Sequence, residues 1–256
     1  MTPFRIVIPA RLQSTRLPDK VLADVGGLPL IAHVVAAARE SGAEEVIVAT
    51  DHERVVDACR AIDVAVEITS PDHACGTDRI WEVADRLGWD DDAIVVNLQG
   101  DEPLMPPPLL RLAADLLEQD PGAGIATLCH AIDEVEDWLN PNVVKVVCDA
   151  RGRAHYFSRA PIPWERDTAS LPPRQLPRAG AMRHVGLYAY RVRVLKAFQR
   201  MAPAPTEQTE SLEQLRALYH GVPIRVGTVE EAPPRGVDTA DDLDWVRRQL
   251  GASTAA

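Results

Sequence analysis

Two stretches of this chain collect the residue types that handle phosphate and metal. The first is Pro9-Ala10-Arg11-Leu12-Gln13-Ser14-Thr15-Arg16-Leu17-Pro18-Asp19-Lys20. It sets two guanidinium groups, an ammonium and a run of backbone N–H groups directly after an apolar segment, Phe4 to Ile8, that reads as a buried strand. Guanidinium forks, an ammonium and a backbone nest are the means by which a protein meets polyphosphate charge. The loop lacks both common glycine-rich phosphate patterns, so it is either a phosphate loop without those glycines or a solvated polar turn. The second is Asn97-Leu98-Gln99-Gly100-Asp101-Glu102-Pro103, again directly after an apolar run. A carboxylate on a glycine turn suits Mg²⁺, which takes one or two protein carboxylates and leaves its other positions to phosphates and water. An Asx turn closed by Asp101 is the alternative.

Three further groups carry weaker signals. Asp238, in Gly236-Val237-Asp238-Thr239, stands just ahead of a helix start marked by a T-x-x-D capping box, Thr239 to Asp242. There it is either a structural anion near the helix dipole or the second carboxylate of a Mg²⁺ site with Asp101. In His73 to Arg79, Thr77 and Asp78 fit an N-cap and a first helical turn. Arg79 could meet a nucleobase edge, a phosphate or a neighbouring carboxylate. Glu207, Glu210, Glu213 and Gln214 fall along one face of a helix read over about 207–219, normally a solvated face, although Glu210 with Arg159 and His184 could instead grip a polyhydroxylated acid.

The elements that must position these groups follow from periodicity. Strands are expected at Phe4–Ile8, Val46–Ala49, Val64–Ile68 and Ala93–Leu98. Helices are expected around Ile31–Ala38, Glu53–Ala61 and Thr77–Leu87. Strict alternation of strand and helix implies a mainly parallel sheet covered on both faces, with its ligand site at the carboxyl ends of the strands. After about residue 128 the rhythm changes. Strands are expected at Asn142–Asp149, Arg153–Phe157, His184–Tyr190 and Pro223–Val229, and a proline-rich ordered loop or lid spans Pro161 to Arg178. The reading is an α/β core of residues 1–128 plus 223–256, with residues 129–222 as an inserted lobe.

Composition excludes several function classes. The 256 residues include 38 acidic and 27 basic side chains, for a net charge of −11. That balance disfavours nucleic acid as a partner, whereas residues 1–20 carry a local excess of base suited to a small anionic ligand. The four cysteines are scattered without a C-x-x-C pair, so a reducing compartment is expected and a zinc ribbon is not. No uninterrupted apolar stretch approaches the ~18 residues of a membrane span, and no charged region precedes the first apolar run. Metalloprotease, nucleophile-elbow and triad signatures are absent.

The ordered motifs then carry a resemblance. I-P-A-R-x-x-S-T-R-L-P-x-K (Ile8 to Lys20), A-T-D-H (Ala49 to His52), C-G-T-D-R (Cys75 to Arg79), N-L-Q-G-D-E-P (Asn97 to Pro103), N-P-N-V-V-K-V-V (Asn140 to Val147), Y-F-S-R-A-P-I-P-W (Tyr156 to Trp164), R-H-V-G-L-Y-A-Y-R (Arg183 to Arg191), S-L-E-Q-L-R (Ser211 to Arg216) and G-V-D-T (Gly236 to Thr239) follow in sequence. Together they closely resemble the 3-deoxy-manno-octulosonate (Kdo) cytidylyltransferase family, the CMP-Kdo synthetases, from residue 6 to about 248. The resemblance implies a three-layer, Rossmann-like nucleotidyltransferase core with an inserted sugar-binding and dimerisation lobe. It also implies a homodimer, Mg²⁺ dependence and a cytoplasmic role in activating Kdo for lipopolysaccharide, with CTP and Kdo as substrates. Carried over by motif, Arg11 and Lys20 contact the CTP phosphates, with Ser14 and Arg16 shaping their loop. Asp101 and Asp238 hold Mg²⁺. Thr77, Asp78 and Arg79 line the nucleotide pocket, and Gln99 lies between nucleotide and sugar. Arg159, His184, Tyr188, Glu210 and Gln214 contact Kdo. Cys75 stands where a serine is common, and the Pro163 to Met182 loop has its own length and composition. A sugar acid other than Kdo, such as 8-amino-Kdo or sialic acid, would leave the core motifs nearly unchanged.

Overall fold

A computed structural model of the chain describes residues 2–12, 16–73, 75–167 and 175–253. Among them nine strands form one sheet whose heart is parallel. β1 (Arg5–Pro9) lies between two parallel neighbours, β4 (Glu45–Thr50) and β6 (Ile94–Asn97), and β5 (Ala65–Ile68) continues the parallel set beyond β4. The short β2 (Asp24–Val25) and β3 (Leu28–Pro29) form a separate hairpin.

The period of two decides which side chain meets which layer. Ile6 and Ile8 of β1 face one core with Val96 of β6, while Val7 and Val95 face the other. On the first face lie α1 (Leu30–Glu40), α2 (Glu53–Ala61) and α4 (Pro107–Gln119), which contribute Val34, Val55 and Leu110. On the second, α3 (Gly76–Arg86) contributes Ile80 and Val83. A sheet buried on both faces explains why its strands read as unbroken apolar runs. α4 was not singled out in the sequence, although three prolines at its start and Leu110, Ala113, Ala114 and Leu117 at helical spacing announce it.

The second half joins the same sheet. β10 (Met182–Arg191) runs antiparallel between β6 and β7 (Ile125–Ala131), and β11 (Ile224–Thr228) lies parallel to β7 on the far side. The first residues of β10 also pair with β8 (Lys145–Cys148), which pairs in turn with β9 (Ala154–Ser158). A bridge from Arg153 to Arg225 brings the start of β9 back to β11. Segment 129–222 thus supplies both a central strand and a curled flank. It also supplies α5 (Val135–Leu139) and α6 (Val192–Phe198).

The single helix expected over 207–219 is two: α7 (Pro205–Glu210) and α8 (Gln214–Tyr219). Ser211 between them is left-handed, with φ of 51°, and the break lets Leu212 turn into the core. Burial of one leucine overrides local helical continuity here, and the four polar residues leave their common face. α9 (Ala240–Ser253) starts as expected. Asp242 N–H donates to Thr239 Oγ1 at 3.2 Å and Thr239 N–H to Asp242 Oδ2 at 3.0 Å, a reciprocal cap. Among the described residues no helix is long and apolar enough to cross a membrane. Of the expected Pro161–Arg178 loop, residues 168–174 lie outside the described set. In the rest, Trp164 stacks on buried Trp138 with ring centres 5.9 Å apart, and Glu165 accepts the Arg178 N–H at 3.0 Å.

Candidate active site

The carboxyl ends of β1 and β6 bring the two acidic motifs together. Gly100 N–H donates to Pro9 O at 3.2 Å, holding the turn after β6 against the end of β1. A side chain at Gly100 would put its Cβ 2.9 Å from that same carbonyl oxygen, so this approach requires glycine. Val237 N–H donates to Asp101 O at 2.8 Å, and the buried Val237 side chain anchors its segment beside α9. Asp238 is fixed from behind, its N–H donating to Asp242 Oδ2 at 3.2 Å within the helix cap.

Lys20 closes the arrangement. It begins a single 3-10 turn, Lys20–Leu22, anchored by buried Val21. Its Nζ donates to Asp101 Oδ2 at 2.6 Å and to Asp238 Oδ1 at 3.4 Å. Arg16 reaches the same Asp238 oxygen at 3.0 Å. One positive centre therefore already lies between the two carboxylates, which face a common space. Among the described residues no further His, Cys, Asp or Glu completes a three-ligand cluster there. Such a donor set suits Mg²⁺, which fills its remaining positions with phosphate and water oxygens.

Next to Asp101, Glu102 is a different acid. Burial, and secondarily the charge of Asp101, push its pKa up to about 8, and its Oε2 has no partner among the described residues. It lines a cleft of about 600 Å³ with His184, Arg183, Arg235 and Trp245. No pattern in the sequence distinguishes Glu102 from an ordinary surface acid. Its buried neutral form is a tertiary effect that residue type conceals.

Around the nucleotide motifs the placements diverge. Arg11 donates to the carbonyl of His73, on the segment leading to α3. Thr77 Oγ1 donates to Glu213 Oε2 at 3.3 Å, and Asp78 accepts from Gln199 Nε2 at 3.0 Å. Gln99 donates to Asn97 Oδ1 at 3.2 Å. Arg79 is sealed from solvent, bonded to Asp51 Oδ2 at 2.8 Å and to the Thr69 hydroxyl. Its guanidinium braces the ends of β4 and β5 and presents no free face to a nucleotide. Ser14 lies outside the described residues.

The residues read as sugar contacts separate into two groups. Arg159 and Glu210 hold one another: Glu210 accepts from Arg159 N–H at 2.8 Å and Ser158 Oγ at 2.7 Å. Arg159 Nε returns to Glu210 O at 2.6 Å, and its Nη1 donates to Pro141 O at 3.0 Å. His184 and Tyr188 form the second group, with ring centres 5.3 Å apart. Thr127 Oγ1 lies 2.9 Å from His184 Nε2, 3.0 Å from Val185 O and 2.8 Å from Leu187 O. Carbonyls only accept, so the hydroxyl proton goes to one of them and His184 Nε2 must carry a hydrogen. Burial draws the His184 pKa down to about 3, and the ring is neutral with Nδ1 left as an acceptor.

Tyr188 and Gln214 share a cavity of about 170 Å³ with Tyr190, Phe198 and Glu213. Glu213, which the sequence reading placed on a helix face and gave no site role, is the acid that reaches both halves. It accepts from Thr77 Oγ1 and, at 3.1 Å, from Cys75 Sγ, while burial raises its own pKa. The Cys75 thiol, desolvated and beside Glu213, is pushed up to about 12 and stays protonated. Its place next to Gln214 in S-L-E-Q-L-R was the available signal for Glu213.

Known proteins place this arrangement in a family. A family model described as cytidylyltransferase matches residues 5–225. A protein of Herminiimonas arsenicoxydans named 3-deoxy-manno-octulosonate cytidylyltransferase is 55% identical, with 96% of this chain and 98% of the relative covered. Proteins of the same name from Marinobacter nauticus and Halorhodospira halophila are 55% and 52% identical, with coverage of 95% of both chains for the first and 96% of both for the second. A solved structure described as CMP:2-keto-3-deoxy-manno-octonic acid synthetase complexed with CTP superposes with a TM-score of 0.88 at 41% identity, covering 98% of this chain and 99% of its own. A cytidylyltransferase structure from Leptospira borgpetersenii, at 16% identity and a TM-score of 0.62 over 98% of this chain and 87% of its own, shares the fold. The chain belongs to the cytidylyltransferase family, among the 3-deoxy-manno-octulosonate cytidylyltransferases.

Proposed function

We propose that this chain transfers the cytidylyl group of CTP to Kdo. The observation that carries the reading is the junction of Lys20, Asp101 and Asp238 at the carboxyl ends of β1 and β6, within a chain 52–55% identical to proteins named for that reaction. The anomeric hydroxyl of Kdo attacks the α-phosphorus of CTP. The new bond joins that oxygen to phosphorus, the bond to the β-phosphate bridging oxygen breaks, and pyrophosphate leaves with its electron pair while the hydroxyl proton passes to solvent.

Transfer of this kind asks for positioning and charge neutralisation more than for a nucleophilic side chain. Arg11, Lys20 and Arg16 supply cations to the triphosphate. Asp101 and Asp238 would hold Mg²⁺, which when bound lends positive charge to the phosphate and acidifies a neighbouring hydroxyl. His184, neutral, offers Nδ1 as an acceptor for sugar hydroxyls. Tyr188, Gln214 and Glu213 line the adjoining wall, and Gln99 stands between the two substrates. The same reading includes a homodimer, a cytoplasmic location and supply of activated Kdo to lipopolysaccharide. The names of the relatives support the supply of activated Kdo.

Pyrophosphate release from CTP with Mg²⁺, measured across Kdo, 8-amino-Kdo, sialic acid and no sugar, tests it. Release with Kdo is expected. Release only with another acid keeps the transfer chemistry and changes the substrate, and no release with any of them overturns the reading.

A further inference from the structure

We infer that Lys20 acts as a built-in counter-ion that keeps a free divalent cation off Asp101 and Asp238, so that metal enters the site with the nucleotide and not before it. The inference rests on the reading of those two carboxylates as metal ligands. Its basis is geometric. Lys20 Nζ lies 2.6 Å from Asp101 Oδ2 and 3.4 Å from Asp238 Oδ1, and Arg16 lies 3.0 Å from that second oxygen. Two cations and two carboxylates sum to zero charge, so the site exerts no net pull on a dication.

A Mg²⁺ ion needs oxygens at about 2.0–2.1 Å. The ammonium holds one oxygen of each carboxylate, Asp101 Oδ2 and Asp238 Oδ1, and a cation bridging the pair through those two oxygens would have to take the place of Lys20 Nζ. Expelling Lys20 without replacement is costly. Its side chain is only 11% exposed, and the two charge-assisted bonds would give way to an unpaired, poorly hydrated ammonium. A triphosphate changes that balance. Its oxygens offer Lys20 and the more exposed Arg16 a new anion, the carboxylates lose their internal partners, and the incoming metal finds phosphate and carboxylate oxygens together. Because coupling is reciprocal, metal and nucleotide each raise the other's affinity.

The test reads protein-bound Mn²⁺ by water-proton relaxation enhancement, without sugar. It uses the wild type and Lys20→Met, which keeps the apolar stem, with Lys20→Gln as a second variant should Met fold poorly. Far-UV circular dichroism checks folding. Without CTP, the variants are expected to bind Mn²⁺ at least tenfold tighter than the wild type. With CTP, after correction for Mn²⁺–CTP in free solution, the wild type is expected to gain at least tenfold and the variants much less. Equal Mn²⁺ affinity of wild type and variants without CTP, in binding that Asp101→Asn abolishes, overturns the counter-ion role alone. Mn²⁺ binding that Asp101→Asn leaves unchanged, or none under any condition, overturns the metal reading and the inference with it.

Discussion

Arg79 and Asp51 form an ion pair at 2.8 Å in which the guanidinium has no contact with water. A second bond runs to the Thr69 hydroxyl, so one side chain of α3 ties the segments leaving β4 and β5. Removing the buried guanidinium takes the partner from Asp51, itself 18% exposed, and from the Thr69 hydroxyl, and costs about 1–3 kcal/mol. Arg79→Ala is therefore expected to lower the urea midpoint strongly. The KM for CTP of the folded fraction should stay within about twofold of wild type. A tenfold rise in that KM at unchanged stability would return Arg79 to the nucleotide pocket.

Glu210 and Glu213, three residues apart, are expected to fail differently. Glu210 accepts from Ser158, Arg159 and, at 3.5 Å, Tyr156, so Glu210→Ala leaves buried donors without acceptors. A loss of about 1–3 kcal/mol follows, read in thermal or urea unfolding. Glu213→Gln keeps shape and one acceptor, and the fold should tolerate it. Because Glu213 faces the cavity of Tyr188 and Gln214, that change is expected to raise the KM for Kdo at least tenfold with the KM for CTP moving less. Steady-state kinetics with each substrate varied separately decides it.

The difference between these two acids marks where sequence stops being informative. α2 was legible to the residue, Glu53 to Ala61, because periodicity and capping are local properties. The same holds for the Thr239–Asp242 cap and for the turn that presents Asp101. The break at Ser211 is set by what Leu212 buries, and no local pattern carries that information. Arg79 belongs to the same class. Its residue type and its motif suggest a ligand, while its partner stands 28 positions away in the loop that leaves β4. The joining of Lys20 to Asp238 across 218 positions has no local signal in the sequence, which pairs Asp238 only with Asp101.

His184 sets a pH dependence of stability. Its ordinary pKa of 6.5 falls to about 3 in the fold because burial disfavours the imidazolium. Between those values the unfolded chain binds a proton at this site that the folded chain does not. Stability from the neutral ring is whole above about pH 6.5 and is lost as pH falls towards 3. The His184 ring resonances should therefore not titrate between pH 8 and 5. The drop in urea midpoint from pH 7 to 5 should be smaller in His184→Gln, which retains a donor for Thr127. A ring that titrates near 6.5 contradicts this.

The turn of Gly100 and Asp101 gives the most direct comparison, between a lost charge and a lost position. Asp101→Asn keeps the shape of the turn and one acceptor for Lys20 but removes the charge. A loss of about 10²- to 10³-fold in pyrophosphate release is expected, the range seen when one electrostatic contact to a transition state is removed, with unfolding little changed. Gly100→Ala leaves every charged group in place. Its Cβ would meet Pro9 O at 2.9 Å and Ala10 Cβ at 3.3 Å, and the clashing oxygen is backbone within the sheet. The turn must move away from β1, at a cost of about 1–3 kcal/mol, and Asp101 moves with it. Gly100→Ala is thus expected to lose both stability and turnover, and raising Mg²⁺ should restore part of its turnover while leaving Asp101→Asn low. If Gly100→Ala retains wild-type turnover, the close approach of the turn to β1 is not what positions Asp101.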